Sequence, residues 1–344
     1  MTKVMEQIKA RAAKLGKHIA LPEGEDPRVV QAAAASVKEG IAKITLLGDA
    51  ADIKAKNPDV DLSGVNIVDP AKFPKTDEYA KLLFDLRQGK INKKTGKPEY
   101  ETVEDAKASI LKDYTMYAAL MLKCGDVDGL VSGACHSTAN TLRPGLQVIK
   151  TLKSAPIVSA YFLMVAPEAG NPFCEDGCYI YADSGLVQNP SPEELANIAI
   201  QSAKSAEIIA GLTPRIALLS HSTKGSARHA DVDKVLAALA KAKELAPDLN
   251  IDGELQLDAA IVPDVAKSKA PGSPVAGHAN VLVFPDLDAG NIGYKLTERL
   301  GGFQAVGPLC QGFAKPINDL SRGCHAEDVV AAVAITCLQT QITD

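Results

Sequence analysis

The sequence contains no tryptophan, only 4% aromatic residues, and more acid than base, with a formal charge of −5. Platforms for stacking bases are therefore scarce, and the surplus of Lys and Arg that binds a phosphate backbone is missing, which excludes nucleic acid as a partner. No stretch reaches the ~20 continuous apolar residues that span a bilayer, and the N-terminus lacks the charged-then-apolar order of a signal peptide. The expectation is a cytoplasmic protein with no membrane partner. Met1–Lys17 is basic and weakly amphipathic, but without the Trp and Phe that dip into a membrane it reads as a plain N-terminal helix. Seven cysteines, an odd number scattered along a long chain, read as reduced thiols. Only Cys174 and Cys178 lie close together, and no second Cys or His pair completes them at metal-ligand spacing, so no metal is expected.

Several motifs are also missing. None of the 26 glycines has another glycine two positions away, so the G-x-G-x-x-G dinucleotide turn occurs nowhere. Gly307 and Gly312 have P-loop spacing, but Phe313 stands where the phosphate-binding lysine belongs. There is no G-x-S-x-G elbow and no H-E-x-x-H helix. Ordinary Rossmann dehydrogenases, P-loop kinases, and the commonest serine hydrolases and zinc proteases are thereby set aside.

What is present is short β-branched runs alternating with longer Ala-rich segments, the pattern of βαβ units and mostly parallel sheets. At 344 residues the chain is expected to form two domains. His18–Leu21 reads as the first strand, with Asp26 capping the helix that follows, Pro27 in its first turn and Gly40 closing it. Asp128–Ser132 reads as a strand that empties into the hydroxyl-rich loop Gly133–Arg143, with Pro144 starting a helix. Ser191-Pro192-Glu193-Glu194 starts another. Ala227–Leu245 and His325–Gln339 read as further helices, and Gly89–Glu104 as a solvated excursion.

Three polar segments are candidates for chemistry. Ser132, Ser137, Thr138 and Arg143 lie in the first, between a strand and a helix, where open parallel sheets bind ligands. Its amides, hydroxyls and guanidinium suit an oxyanion such as phosphate; alternatively its hydroxyls cap the next helix. Arg143 discriminates, because a cap has no use for it. Asn318–Asp328 is the second: Ser321 and Arg322 can hold a phosphoryl group and Asp328 can take a proton, although an acid in a first helical turn also compensates the helix dipole. Ser220–Ser226 is the third, able to grip a phosphate through Lys224 or merely to turn the chain. Cys135 suggests an acyl-enzyme, but a free Cys more often fills a buried apolar position. His136 and His325 read as local hydrogen-bonding residues.

Read together, these blocks resemble the phosphate acetyltransferases over nearly the whole length. Ala20–Asp26, Asp128–Arg143 (DGLVSGACHSTANTLR), Ser222–Ala227, Asp252–Ala260, Val275–Leu282, Phe284–Lys295, Glu298–Gly302 (ERLGG) and Asn318–Cys324 (NDLSRGC) match in order. The resemblance implies reversible transfer of acetyl between acetyl phosphate and coenzyme A, with coenzyme A as a substrate and no resident cofactor. It implies two α/β/α domains like those of the isocitrate and isopropylmalate dehydrogenases, 1–154 plus 308–344 and 155–307, with the active site in the cleft, and a homodimer. By position, Asp328 is the base for the thiol, Ser321 and Arg322 contact acetyl phosphate, and Arg143, Arg299 and Arg87 hold phosphate or shape the site. Asp328 is expected to be partly buried or strongly coupled to the thiol proton, because aspartate at its ordinary pKa of ~3.9 is a poor base for a thiol. The alternatives are a phosphate butyryltransferase, a metal-dependent dehydrogenase of the same fold and a non-catalytic acyl-CoA sensor. Asp252, Glu254 and Asp258 read as structural or capping residues.

Overall fold

The computed structural model describes residues 2–92 and 95–343. Met1, Lys93, Lys94 and Asp344 lie outside them, and with Lys93 and Lys94 part of the expected excursion. The chain divides into two units, Lys9–Lys150 with Phe313–Thr340, and Thr151–Gly312 with Met1–Ile8 and Gln341–Asp344. Residues 2–8 thus depart from the expectation that 1–154 stay together. Val4 lies against Gly177 of the inserted segment, 3.6 Å from where a Cβ on that glycine would stand.

Among the described residues the strands in chain order are β1 (His18–Leu21), β2 (Lys43–Leu47), β3 (Asn66–Val68), β4 (Gly129–Ser132), β5 (Ser159–Val165), β6 (Cys178–Ala182), β7 (Ile216–Leu219), β8 (Ile251–Leu255), β9 (Val281–Val283), β10 (Gln304–Gln311) and β11 (Ile317–Asp319). Both units are α/β.

In the unit that contains β1, the order is β11-β4-β1-β2-β3 and every pairing is parallel. The chain runs outward through β2 and β3, then crosses to the other side of β1 for β4 and β11. This places a topological switch between β1 and β4, and in open parallel sheets the ligand crevice lies outside the carboxyl ends at that point. Asp26 caps the helix Pro27–Lys38 by accepting from the Arg28 N–H, and Pro27 occupies its first turn, as the sequence predicts. Ala326–Gln339 is buried at every position from Val329 onward and packs on β4, β1 and the helix Pro27–Lys38. A helix apolar on all sides is a core element.

Pro144 does not start a helix. Ser137 caps Thr138–Pro144 and accepts from the Asn140 N–H, so the proline ends the α-helix and a wide π-type turn, Gly145–Ile149, follows. Proline has no N–H to donate, and here that costs little because the ladder changes register at this point.

The other unit has the order β10-β5-β6-β9-β7-β8. Its pairings are parallel from β6 through β9 and β7 to β8, and antiparallel where β5 meets β6 and β10. Its core gathers Phe162, Tyr179, Tyr181, Phe284 and Phe303 with Ala and Leu side chains. The helix Pro192–Ser205 opens with a reciprocal capping box between Ser191 and Glu194.

Candidate functional site

Because β1, β4 and β11 are adjacent and parallel, their carboxyl ends deliver three segments to one edge of the sheet. These are 22–28 after β1, 133–143 after β4 and 320–328 after β11. The sequence pointed to the second and third; the structure adds the first.

The backbone amides of the 133–136 loop form the concave nest expected to hold an oxyanion, but the protein fills it with its own carboxylate. Glu23 is 1% exposed. Its Oε2 accepts from the N–H groups of Gly133 (2.9 Å) and Ala134 (2.8 Å), and its Oε1 from those of Cys135 and His136 (3.1 Å each). His136 Nδ1 lies 2.8 Å from the same Oε1. A substrate phosphate therefore has to bind elsewhere. The signal that marks Glu23 is an acid placed just past the end of a strand in a parallel sheet.

Cys135 is exposed, not the buried small hydrophobe expected. Its thiol faces Glu23 and Glu25 at 3.5 Å each, and its pKa is pushed up by desolvation of the sulfur and then by these carboxylates. Thiolate is disfavoured there, which speaks against an acyl-enzyme. The ligand atoms of Glu23, Cys135 and His136 lie within 4.8 Å of one another, close enough for a cation. The His136 ring nitrogen and the Glu23 oxygen are already spent on each other, so the cluster reads as a hydrogen-bond network.

Arg322 leans over the loop after β4. Its Nη1 donates to the His136 carbonyl (2.9 Å) and its Nη2 to the Thr138 hydroxyl (3.0 Å). The side chain is 49% exposed, and Nε makes no hydrogen bond among the described residues. Asp319, 3% exposed at the end of β11, accepts from the Thr138 hydroxyl at 2.7 Å and lies 3.7 Å from Arg322. Its pKa is raised by burial, against the opposing pull of Thr138, Thr141 and Arg322. Ser321 is exposed beside Arg322, its hydroxyl accepting from the Gly323 N–H. The structure thus brings Arg322 against Thr138, with Ser321 and the cap residue Ser137 their neighbours in sequence.

Arg28 joins these segments from the β1 side. Its Nε and Nη2 grip both oxygens of Asp26 (3.0 and 2.7 Å), and Nη2 also donates to the Ala134 carbonyl (2.8 Å). Nη1 donates to the carbonyls of Arg322 (2.8 Å) and Cys324 (2.9 Å). The Asp26 carboxyl is held below its usual range, chiefly by these side-chain bonds.

The remaining predicted residues are less uniform. Ser132 is fully buried and its hydroxyl meets that of Thr115, so it belongs to the sheet interior and is corrected as a substrate contact. Arg143 lies in the last turn of the helix Thr138–Pro144, about 7–8 Å along the axis from Thr138, and pairs with Asp113 at 3.0 Å while 51% exposed. Arg87 is closed: Nε and Nη2 both donate to Glu99 at 2.7 Å, with 15% of the side chain exposed. Arg143 adds to the positive field on Glu99, so Arg87 and Arg143 share one electrostatic neighbourhood. Arg299 belongs to the other unit and is 78% exposed, with Glu298 at 3.5 Å. Asp328 accepts from the His325 N–H at 2.8 Å in the first turn of the last helix. It is exposed, so the partial burial expected of a thiol base is absent; the carboxylate is engaged in capping the helix start. Its charge nonetheless reaches the Cys324 thiol, which is raised first by desolvation.

The Ser220–Ser226 turn is internally satisfied. Lys224 binds Asp252 at 2.6 Å, and Glu254 accepts from the Gly225 N–H and the Ser222 hydroxyl, each at 2.8 Å. Asp258 pairs with Lys269 at 2.8 Å. Among the described residues, Asp252, Glu254 and Asp258 do not join any group of three metal-ligating side chains close enough to share an ion.

A family model described as Phosphate acetyl/butaryl transferase matches residues 3–337. The phosphate acetyltransferase of Acetivibrio thermocellus is 50% identical over 98% of both chains. A crystal structure of a phosphotransacetylase from Streptococcus pyogenes superposes with a TM-score of 0.89 at 40% identity over 99% of each chain. The 4-hydroxythreonine-4-phosphate dehydrogenase of Klebsiella pneumoniae, at 12% identity and a TM-score of 0.52 over 94% of this chain and 98% of its own, shares the fold.

Proposed function

This chain belongs to the phosphate acetyl/butaryl transferase family, and from that premise we propose how it moves acetyl between phosphate and coenzyme A, with Asp328, Arg322 and Ser321 carrying the reaction. The enzyme is an acyltransferase. In the direction of thioester synthesis the coenzyme A thiol gives its proton to Asp328, and the thiolate attacks the acetyl carbon. The C–S bond forms as the C–O bond to phosphate breaks, and phosphate departs with the bonding pair.

A thiol of pKa ~8.5 is only a few per cent ionised at neutral pH, which is why a carboxylate within hydrogen-bond reach accelerates the attack. Exposed in the first turn of the last helix, Asp328 is open to a thiol arriving from solvent. Arg322 is the observation that carries the reading: half exposed and braced on His136 and Thr138, it keeps Nε free to meet the acyl phosphate. A guanidinium so placed stabilises charge on the carbonyl oxygen and the leaving phosphate. Arg143 and Arg299 are proposed anion contacts for coenzyme A. The Arg143–Asp113 pair is of the exposed kind, worth ~0–1 kcal/mol, so the arginine is readily released to a ligand. A phosphate would have to displace Glu99 from both ends of the Arg87 fork, so Arg87 is the weaker member of the set. With charge supplied by side chains, the reaction is proposed to need no metal, and a cytoplasmic location and a homodimer are part of the same proposal.

Thioester formation from acetyl, propionyl and butyryl phosphates, assayed with a chelator present, tests this. Asp328→Asn and Arg322→Ala are each expected to lower kcat by about 10²–10⁴-fold. Undiminished turnover in both would discredit the assignment, and a preference for butyryl phosphate would favour the longer-chain transferase.

A further inference from the structure

We propose that Arg28 is a positioning residue for acetyl transfer, the staple that sets the Ser321–Arg322 segment against the 133–138 loop. The inference rests on the site proposed above and adds a residue to it.

All five guanidinium N–H donors of Arg28 are used. Two hold Asp26, which is 8% exposed and anchored at the start of the helix Pro27–Lys38. One reaches Ala134, 106 positions away in sequence, and two reach Arg322 and Cys324, 294 and 296 positions away. The bonded carbonyls belong to two loops that leave neighbouring strands, β4 and β11, and share no backbone hydrogen bond beyond Leu320 to Ser132. Without Arg28, the Arg322 side chain would still touch the 133–138 loop, but nothing would hold its own backbone carbonyl from the β1 side. No shorter or less branched side chain can satisfy three separated carbonyls and a carboxylate at once. Lysine offers three donors on one nitrogen and no planar fork. Misplacement of a catalytic group by about 1 Å can cost about 10²-fold in rate, so a staple remote from the reacting atoms can control turnover.

The test compares Arg28→Ala and Arg28→Lys with Arg322→Ala and with the Arg28→Ala/Arg322→Ala double variant. Steady-state kinetics with acetyl phosphate and coenzyme A are run on the full-length enzyme, with Tm recorded for each variant. Both Arg28 variants are expected to lose about 10²-fold in kcat with KM changed by less than about threefold. Millimolar guanidinium chloride, but not sodium chloride at equal concentration, is expected to restore part of the turnover of Arg28→Ala, since the Arg28 side chain is 31% exposed and its site reachable. In the Arg322→Ala background, removing Arg28 is expected to cost little more, because the two act as one unit.

Wild-type kcat in Arg28→Lys and Arg28→Ala, or the same fold-loss from Arg28→Ala in both backgrounds, overturns the proposal while leaving Arg322 in place. Wild-type turnover in Arg322→Ala overturns the site itself, and the staple with it. Should Arg28→Ala not fold, Arg28→Lys and Asp26→Asn, which loosens the guanidinium's anchor, carry the same comparison.

Discussion

Carboxylate oxygens shut away from water need donors in its place, and Glu23 has four backbone N–H groups and the His136 ring. Glu23→Gln would turn an amide NH2 toward two of those donors. A loss of about 2–4 kcal/mol in denaturant midpoint experiments is expected, with turnover reduced as the 133–136 loop shifts. Unchanged stability would show the nest to be incidental. Glu99 teaches the opposite lesson about exposure to acid. The Arg87 fork, its largest influence, holds the Glu99 carboxyl below its ordinary value of 4.5. The folded state therefore binds this proton less readily than the unfolded chain. The stability that results is fully present above 4.5 and is lost as pH falls through the depressed value. Arg87→Gln is expected to flatten that acid limb when Tm is followed from neutral pH down to about 3.

At the scale of elements, β4 and β11 can converge only because Gly133 has no side chain. Its φ is +107°, and an added Cβ would overlap Asp319 Oδ1 and lie 2.7 Å from the Leu320 nitrogen. Gly133→Ala is expected to cost about 2–5 kcal/mol in unfolding free energy, from left-handed strain plus overpacking. Gly40, with φ +67° and nothing within 4 Å of its Cβ position, isolates the strain alone. Gly40→Ala is expected to cost about 1–2 kcal/mol with activity intact. Equal costs at the two glycines would contradict the close approach. Helix starts and stops were legible from local rules at Asp26-Pro27 and Ser191-Pro192, where cap and first turn are adjacent in sequence. Pro144 misled because its usual place in a first turn suggested a start, while Ser137, seven positions earlier, already supplied the cap.

For the molecule as a whole, the helix Leu287–Arg299 and its C-cap present Ile292, Leu296 and Leu300 at four-residue spacing, exposed by 58, 51 and 82%. If the chain forms the homodimer proposed above, this stripe is expected to be covered in it. Leu296→Glu with Leu300→Glu is expected to lower the mass measured by light scattering from twice the monomer to one, and a monomeric wild type would refute the dimer. No helix among the described residues is long and apolar enough to cross a membrane.

The amino-acid sequence by itself determined the α/β alternation, the helix caps, and the motif blocks that resemble one enzyme family, because these depend on periodicities and neighbours a few residues apart. It also marked Ser321, Arg322 and Asp328 as candidates. Only the tertiary structure decided that Glu23 fills the amide nest, that Arg28 ties together carbonyls up to 296 positions away, that Glu99 closes Arg87, and that Ser132 turns inward. Hydrogen-bond partners this distant meet only when parallel strands bring their ends together, and no local pattern records which donor finds which acceptor.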